Sequence, residues 1–166
     1  GVRYCYIVTA IYDYGMLESC PSDTACATLK KEVPIITNIS VINTDAISGI
    51  DSIAWTHPTE LDTLQYPGPY FYEIMDELGN SVVQLSPSLS LNEMDTNYTY
   101  LGVNTTDTNR RYKIALHYTQ NSSDSLVGYS TQASSVHLNS LSSDNQIELK
   151  WSENVPWINY QYFIYR

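Results

Sequence analysis

Positive charge is scarce in this sequence. Its 166 residues include 8 Lys and Arg against 18 Asp and Glu, which gives a formal net charge of -10. A chain with this balance repels the phosphate backbone of nucleic acids and the anionic surface of a membrane. The sequence therefore argues against nucleic-acid binding. The shortage of Lys and Arg beside abundant Ser, Thr, Asn and Asp favours an extracellular protein.

Long apolar runs and helical periodicity are also missing. No stretch of 18 apolar residues occurs, so we expect no membrane insertion. No segment repeats apolar residues every 3.6 positions, and we expect no helix longer than one turn. We expect no signal peptide within these residues, since residue 1 is Gly and residues 2–12 already alternate like a strand. We expect the sequence to be a piece of a longer polypeptide.

Signatures of catalysis and metal binding are absent as well. His57, His117 and His137 are scattered singly, and neither a G-x-S-x-G nor an S-x-x-K motif occurs. Several acids in or beside predicted loops offer the oxygen ligands that calcium takes, but the D-x-D-x-D-G spacing is missing. These acids are Asp45, Asp51, Asp62, Asp76 and Glu77. Solvated loop charge is the preferred interpretation, and the sequence predicts no catalytic residues, no metal site and no cofactor.

Alternating strand patterns are what the chain has in quantity. Tyr, with 15 residues, is the main aromatic, and it favours strands. In residues 49–58, Ile53 and Trp55 share one face of a predicted strand. About a hundred residues later, residues 146–152 repeat this alternation and contain Trp151. We predict that Trp55 and Trp151 are equivalent core anchors of two successive domains.

The segment from 34 to 138 contains enough strands for one complete domain. The predicted strands are 35–42, 50–56, 70–75, 81–85, 98–103, 112–119 and 129–138. Seven short strands separated by turn signals are typical of a β-sandwich of about 100 residues. Pro34 removes a backbone donor, so residues 30–34 are predicted to be a short linker.

An internal repeat extends this interpretation to both ends of the sequence. Tyr4, Tyr6, Val8 and Ala10 correspond to Tyr112, Ile114, Leu116 and Tyr118, and Leu29 corresponds to Leu138. We therefore predict the last strands of one domain in residues 1–33, a complete domain in 34–138, and the first strands of a third in 139–166. Tyr112 joins Trp55 and Trp151 in the predicted core.

Three elements resemble fibronectin type III domains in tandem. They are the Trp of the second strand, the Tyr-x-aliphatic-x-aliphatic run that starts at Tyr112, and Gly128-Tyr129-Ser130 before the last strand. The resemblance implies an all-β fold class of immunoglobulin-like β-sandwiches, one complete and two partial. It also implies that the partners include neighbouring domains of the same polypeptide.

Longer strings resemble large surface proteins of Bacteroidota, which often carry gliding-motility-associated, type IX secretion signal domains. The strings are YCYIVTA, PIITNISV, GIDSIAW and the LDT and YPGPYFYEI elements within residues 61–74. The third module departs from this pattern with Pro156-Trp157. The resemblance implies an exported, non-enzymatic stalk that meets the type IX secretion or cell-surface machinery. It also implies O-glycosylation in Asp-Ser/Thr motifs, at Thr24, Ser52, Thr63 and Ser125.

The three cysteines are an odd set. If the first two strands fold back about residues 13–16, Cys5 falls nearly opposite Cys26, while Cys20 lies nearer the turn. We predict a Cys5–Cys26 disulfide, with three reduced, packed thiols as the alternative. A zinc site is disfavoured because no paired C-x-x-C or nearby His occurs.

Aromatic residues and glycosylation sequons leave two further functions open. Tyr66, Tyr70, Tyr72, Trp157 and Tyr160 offer rings that could stack on a glycan or another surface ligand, against a structural role in strand packing. A glycan-binding module of a secreted polysaccharide-degrading enzyme is therefore an alternative. The sequons at Asn38, Asn97, Asn104 and Asn121 would carry N-glycans in a eukaryotic adhesion receptor.

Overall fold

A computed structural model describes residues 3–15, 17–28 and 31–165 of the chain. Predictions that fall on Gly1, Val2, Met16, Leu29, Lys30 and Arg166 lie outside the described residues. The chain divides into two compact units, residues 1–31 and residues 32–166.

Antiparallel strands account for nearly all the regular structure. In chain order they are β1 (Arg3–Tyr6), β2 (Ile11–Tyr12), β3 (Leu17–Glu18), β4 (Ala25–Thr28), β5 (Ile35–Asn43), β6 (Gly49–Thr56), β7 (Tyr70–Asp76), β8 (Ser81–Gln84), β9 (Asn97–Val103), β10 (Arg111–Gln120), β11 (Ser123–Tyr129), β12 (Ala133–Ser134), β13 (His137–Ser143) and β14 (Gln146–Ser152). Two single-turn 3-10 segments, Asp13–Gly15 and Leu91–Glu93, complete the regular elements of the described chain. The all-β prediction is confirmed. Within the described residues no helix has the length and apolar character needed to cross a bilayer.

The first unit is a long, irregular hairpin. β1 pairs with β4, β2 pairs with β3, and the 3-10 segment closes the end. The strand predicted for residues 2–12 is interrupted between β1 and β2. There the backbone N–H groups of Val8 and Ala10 donate to the hydroxyls of Ser22 (3.0 Å) and Ser19 (2.8 Å). Serine side chains thus take the place of strand carbonyls on either side of Pro21.

The second unit contains a β-sandwich. One sheet has the strand order β5-β6-β9, and the other has the order β11-β10-β7-β8, with β12 also paired to β10. The inward side chains of both sheets form one core. Its most buried large members are Tyr72, Tyr112, Ile36, Ile53, Ile74, Ile114 and Leu116. The alternation seen in the sequence therefore becomes an inner and an outer face, as a half-buried strand requires.

Trp55 lies where the sequence places it, at the contact between the two sheets. Its side chain is 2% exposed, and its ring meets Tyr72 edge to face at a centroid distance of 5.5 Å. Tyr112 on β10 is fully buried as well, and its ring meets Tyr100 edge to face at a centroid distance of 6.3 Å. Aromatic pairs in this geometry stabilise a core beyond the area that they bury.

The prediction of one continuous strand from 129 to 138 is wrong. Asn121 and Ser122 both have positive φ (52° and 60°), so β10 turns directly into β11, and Ser123 pairs with Gln120. Ser130 then interrupts the strand, because its hydroxyl accepts the Ile114 N–H at 2.9 Å. The chain rejoins β10 as β12, and β13 starts a separate hairpin. The sequence pattern did not reveal that Asn121 and Ser122, two polar residues in the left-handed conformation, form a two-residue turn.

Trp151 is not a core residue, in contrast to the prediction. It lies on the β13–β14 hairpin, opposite Leu138, and is 41% exposed. This hairpin pairs with no other strand in the described chain, so no second sheet covers the indole. Tyr162 contacts it at a ring-centroid distance of 5.3 Å. Trp55 is buried because Tyr72 faces it, and Trp151 has no such facing sheet.

After the hairpin the chain returns to the sandwich. The backbone N–H of Ser134 donates to the Asn154 carbonyl at 2.8 Å, and the Asn154 N–H donates to the Ser134 hydroxyl at 2.7 Å. Trp157 packs, half-buried, against the sandwich core. The Pro156-Trp157 element thus closes part of the sandwich.

The two tryptophans should differ sharply when they are removed. Trp55→Ala is expected to lower the free energy of unfolding by about 4 kcal/mol, because it opens a cavity between the sheets. Trp151→Ala should lower it by less than about 1 kcal/mol, as exposed positions do. Urea unfolding followed by far-UV circular dichroism measures both. Equal losses would contradict the assignment of the core.

Candidate functional site

A carboxylate buried between the sheets is the most unusual polar group of the sandwich. Asp51 on β6 is 1% exposed, and the Tyr112 hydroxyl on β10 donates to its Oδ2 at 2.6 Å. The second oxygen, Oδ1, has no hydrogen-bond partner among the residues that the structure describes. The bond joins the two sheets across the core. Burying a carboxyl group is costly, and the hydrogen bond from Tyr112 offsets part of that cost.

The electrostatics of the pair follow from its burial. Desolvation raises the pKa of Asp51, while the Tyr112 hydrogen bond and the nearby Arg110 charge act in the opposite direction. Burial and the Asp51 hydrogen bond raise the pKa of Tyr112 well above its usual range. A phenol in this state donates a hydrogen bond and does not release its proton. The pair is therefore suited to holding the sheets together.

Asp51 was grouped with acids in or beside predicted loops and was expected to be solvated, and this expectation is wrong. The signal that would have corrected it lies in the strand pattern itself. Asp51 is two residues before Ile53 and four before Trp55, so the alternation puts all three on the inner face. The three have exposures of 1%, 0% and 2%.

A second polar contact crosses the core at the other end of β6. His57 Nδ1 lies 2.9 Å from the Tyr72 hydroxyl, and the two rings stack at a centroid distance of 6.0 Å. Burial lowers the pKa of His57 and raises that of Tyr72 beyond its usual range. A neutral imidazole bonded to a phenol that keeps its proton is a structural contact. It does not form the base and nucleophile pair that hydrolysis requires.

The other two predicted histidines lie apart from His57. His117 is on the outer face of the larger sheet, stacked on Phe71 at 4.8 Å, with its Nε2 3.1 Å from Glu73 Oε2. His137 opens the β13–β14 hairpin. The structure thus brings no two histidines together.

The remaining loop acids shape turns. Asp45 Oδ1 accepts the N–H groups of Ile47 and Ser48 at 2.8 and 2.7 Å, and these bonds lower the pKa of Asp45. Asp76 accepts the Asn80 backbone and side-chain N–H groups at 2.8 and 2.9 Å, which lowers its pKa in the same way. Asp62 Oδ1 accepts the N–H groups of Leu64 and Gln65 in the same way, at 3.0 and 3.2 Å. Nowhere in residues 3–15, 17–28 or 31–165 do three His, Cys, Asp or Glu side chains converge as metal ligands.

The predicted aromatic platform is mostly internal. Tyr70 and Tyr72 are buried, and Tyr66 is half-buried against Tyr118 at a centroid distance of 5.5 Å. The Tyr70 hydroxyl donates to the Tyr66 carbonyl at 2.6 Å, which fixes the loop before β7. Of the five rings, Tyr160 is the most open, at 91% exposure. Strand packing accounts for Tyr70 and Tyr72.

A shallow groove runs beside this loop. Its volume is about 480 Å³, and Pro67, Gly68, Leu89, Leu91 and Thr63 contribute to its walls. The groove is open to solvent, and Tyr70 lines it from the core side. A surface of this kind lacks the convergent polar groups that define most small-molecule sites.

The four predicted O-glycosylation acceptors differ in access. Thr24 and Thr63 are exposed in loops, whereas Ser52 and Ser125 are half-buried within β6 and β11. Asp62, which precedes Thr63, accepts the N–H groups of Leu64 and Gln65 and so holds the loop in a fixed turn. Thr24 and Thr63 are the acceptors that a modifying enzyme can reach in the folded chain.

The Cys5–Cys26 disulfide is confirmed. The two residues are opposite each other in the β1–β4 register, 21 residues apart in sequence, with Cα atoms 4.0 Å apart. Cys20 is a free, exposed thiol. A disulfide in so small a unit is typical of proteins that fold in an oxidising compartment.

Comparison with known proteins adds no assignment. The chain matches no protein-family model, and no characterised protein matches its sequence.

The burial of the Asp51 carboxyl group predicts how the free energy of unfolding depends on pH. Because the folded-state pKa of Asp51 is raised above 3.8, the folded chain holds this proton more tightly than the unfolded chain does. The stabilisation that protonated Asp51 gives to the wild-type fold is therefore lost as pH rises through its folded-state pKa. An Asp51→Asn variant lacks that loss, so its free energy of unfolding should increase relative to wild type between about pH 3 and pH 7.

Asp45→Asn is the matched control, since the pKa of Asp45 is lowered and its stabilisation appears as pH rises. Its stability relative to wild type should fall over the same range. Urea unfolding at several pH values measures both differences. Two variants with the same pH trend would contradict the assigned environments.

Proposed function

We propose that this chain is a non-enzymatic structural segment of an exported, multi-domain surface protein, in which fibronectin type III-like sandwiches in series form a semi-rigid stalk. Residues 1–33 would complete a preceding module, and residues 139–166 would begin a following one. The proposal rests on sequence resemblance and on how the chain enters and leaves the sandwich.

The path of the chain carries the proposal. β5 enters where Ile35 pairs with Thr56, at the end of β6. β12 leaves where Ser134 pairs with Arg111, at the start of β10. The Trp55–Tyr72 contact lies toward the entry, and the Asp51–Tyr112 bond lies toward the exit. The chain thus enters and first leaves at opposite ends of the sandwich, and Asn154 brings it back to the exit end, which suits domains joined in a row.

The strand order supports the fibronectin type III part of the proposal. The first, second and fifth strands of the sandwich form one sheet, and the seventh, sixth, third and fourth form the other. This three-plus-four arrangement is the one found in fibronectin type III domains, where the fourth strand pairs with the third. A sandwich of this architecture hosts many functions, so the fold alone does not choose among them.

The chain is held against the sandwich where it enters and where it leaves. Val33 lies so close to Gly128 on β11 that an added Cβ would meet Val33 Cγ1 at 2.6 Å. At the exit, Ser134 and Asn154 exchange the two hydrogen bonds described above. Linkers held against a folded domain transmit orientation better than free ones. These contacts are what a stalk module needs.

Tension along such a chain would act parallel to the strands. Hydrogen bonds between antiparallel strands lie perpendicular to the strand direction. A pull between Ile35 and Ser134 therefore loads the bonds of β5 with β6 and of β12 with β10 together, and not one after another. The sheet-to-sheet contacts at Trp55 and Asp51 resist the sliding that would follow.

The proposal includes three further points that the sequence resemblance implies. They are export through the type IX route, a link to gliding motility and placement on a Bacteroidota cell surface. The disulfide supports an oxidising location. Thr24 and Thr63 are the proposed O-glycosylation sites, because they are exposed in loops.

A glycan-binding accessory module is the second candidate. The groove beside Thr63 and the exposed Tyr160 favour it. Titration with neutral oligosaccharides, followed by tryptophan fluorescence, separates the two functions. A stalk should give no saturable change, whereas a glycan-binding module should saturate.

Single-molecule stretching of the full chain tests the stalk. The sandwich should unfold in one step that adds on the order of 300 Å of contour length, since about 100 residues become extended. Reducing Cys5–Cys26 should leave this step unchanged, because the disulfide lies in the other unit. Gradual lengthening at low force would contradict a mechanical role.

A further inference from the structure

The outer face of the β5-β6-β9 sheet carries no charge. Across these three strands the only Asp, Glu, Lys, Arg or His residue is Asp51, and it points into the core. The outer face of the larger sheet is different, with Glu73, Lys113 and His117 on it. In a chain of net charge -10, a whole sheet face without charge is distinctive.

Small polar side chains form two rows across this face. The strand register places Ser40 beside Ser52 and Ser52 beside Thr99, and the next row holds Asn38, Ala54 and Asn97. We call these rows, with the neighbouring Ile42 and Leu101, the neutral face. Ile42 and Leu101 are 61% and 65% exposed.

We propose that the neutral face is a self-association surface, on which a second copy of this chain docks about a two-fold axis. Electrostatics favours this occupant. Two copies that approach through other surfaces bring net negative charge together, whereas the neutral face adds no direct like-charge contact. A two-fold contact places the same patch on both copies, so the patch must complement itself.

The chemistry of the rows meets that requirement. Hydroxyl and amide groups both donate and accept hydrogen bonds, so a row of Ser, Thr and Asn can pair with its own symmetry copy. Ile42 and Leu101 supply apolar area at one end of the face. A neutral sugar fits less well, because the rings of Tyr98 and Tyr100 pack toward the core and leave no aromatic platform outside.

The size of the face sets the strength of the contact. Three strands about 4.8 Å apart and two to three side-chain rows about 6.8 Å apart give roughly 200 to 300 Å² on each copy. Specific, stable interfaces bury about 800 Å² on each partner, so the contact is weak and reversible. Many copies held side by side would add such contacts together.

Sedimentation equilibrium of unglycosylated full chain, from about 10 µM to about 1 mM, measures this association. A Cys20→Ser background removes disulfide-linked dimers, because Cys20 is a free, exposed thiol. We expect a monomer–dimer equilibrium that strengthens as salt is added, since salt screens the repulsion between the two net charges.

Thr99→Lys places an unpaired charge on the neutral face, which must lose its water when a second copy docks there, and should weaken dimerisation at least tenfold, by roughly 1.4 kcal/mol or more. Gln84→Lys is the matched control, on the exposed edge strand of the other sheet, and should dimerise at least as well as wild type. Circular dichroism checks that both variants are folded. A wild-type chain that stays monomeric to about 1 mM would overturn the proposal. So would a Thr99→Lys variant that dimerises like the control, since the contact would then lie at a strand edge or elsewhere.

Discussion

Two contacts between the facing sheets hold the sandwich together. Near the entry of the chain, the Trp55 indole meets the edge of Tyr72, and near the exit the Tyr112 hydroxyl bonds to the Asp51 carboxylate. The first contact is apolar and stabilising. The second contributes a directional bond at the cost of burying a carboxyl group, one oxygen of which has no partner among the described residues. Together they fix the two sheets in one register along the strands.

The proposed stalk depends on these contacts. A sandwich transmits tension only if its sheets do not slide, and both contacts oppose sliding. Three of the polar side chains that were considered as site residues make structural contacts. His57 is bonded to Tyr72, and Asp45 and Asp76 hold turns. The outer face of the larger sheet carries charged residues, whereas the neutral face on the smaller sheet carries none. The two faces therefore favour different partners.

Much of the fold could be predicted from alternation alone. Strand β6 alternates strictly between buried and more exposed residues, and β5, β7 and β10 do so in part, which is enough to locate them from local spacing. The disulfide followed from strand register in the same way. The end of the sandwich was missed, because Asn121 and Ser122 look like loop residues but form a two-residue turn. Trp151 was misplaced because burial depends on a facing sheet, which no local pattern encodes.

The polar contacts were harder to predict than the strands. Asp51 was expected to be solvated on its residue type, although its position in the alternation pointed inward. His57 and Tyr72 are 15 residues apart and meet only across the two sheets. The neutral face became visible only when the registers of three strands were combined, since Ser40, Ser52 and Thr99 are far apart in sequence. A single sequence does not show which distant strands pair, and these contacts depend on that pairing.

Native-state hydrogen exchange tests the central claim, that one two-sheet core stabilises strands β5 to β12 and that the hairpins before and after them in the sequence are weaker. The account predicts that the amides of Ile53, Tyr72 and Ile114 exchange only through global unfolding. Amides of β1, β4, β13 and β14 should exchange through smaller, local openings. Equal protection in the β13–β14 hairpin and in the central strands would contradict the account, as would fast exchange at Tyr72 or Ile114.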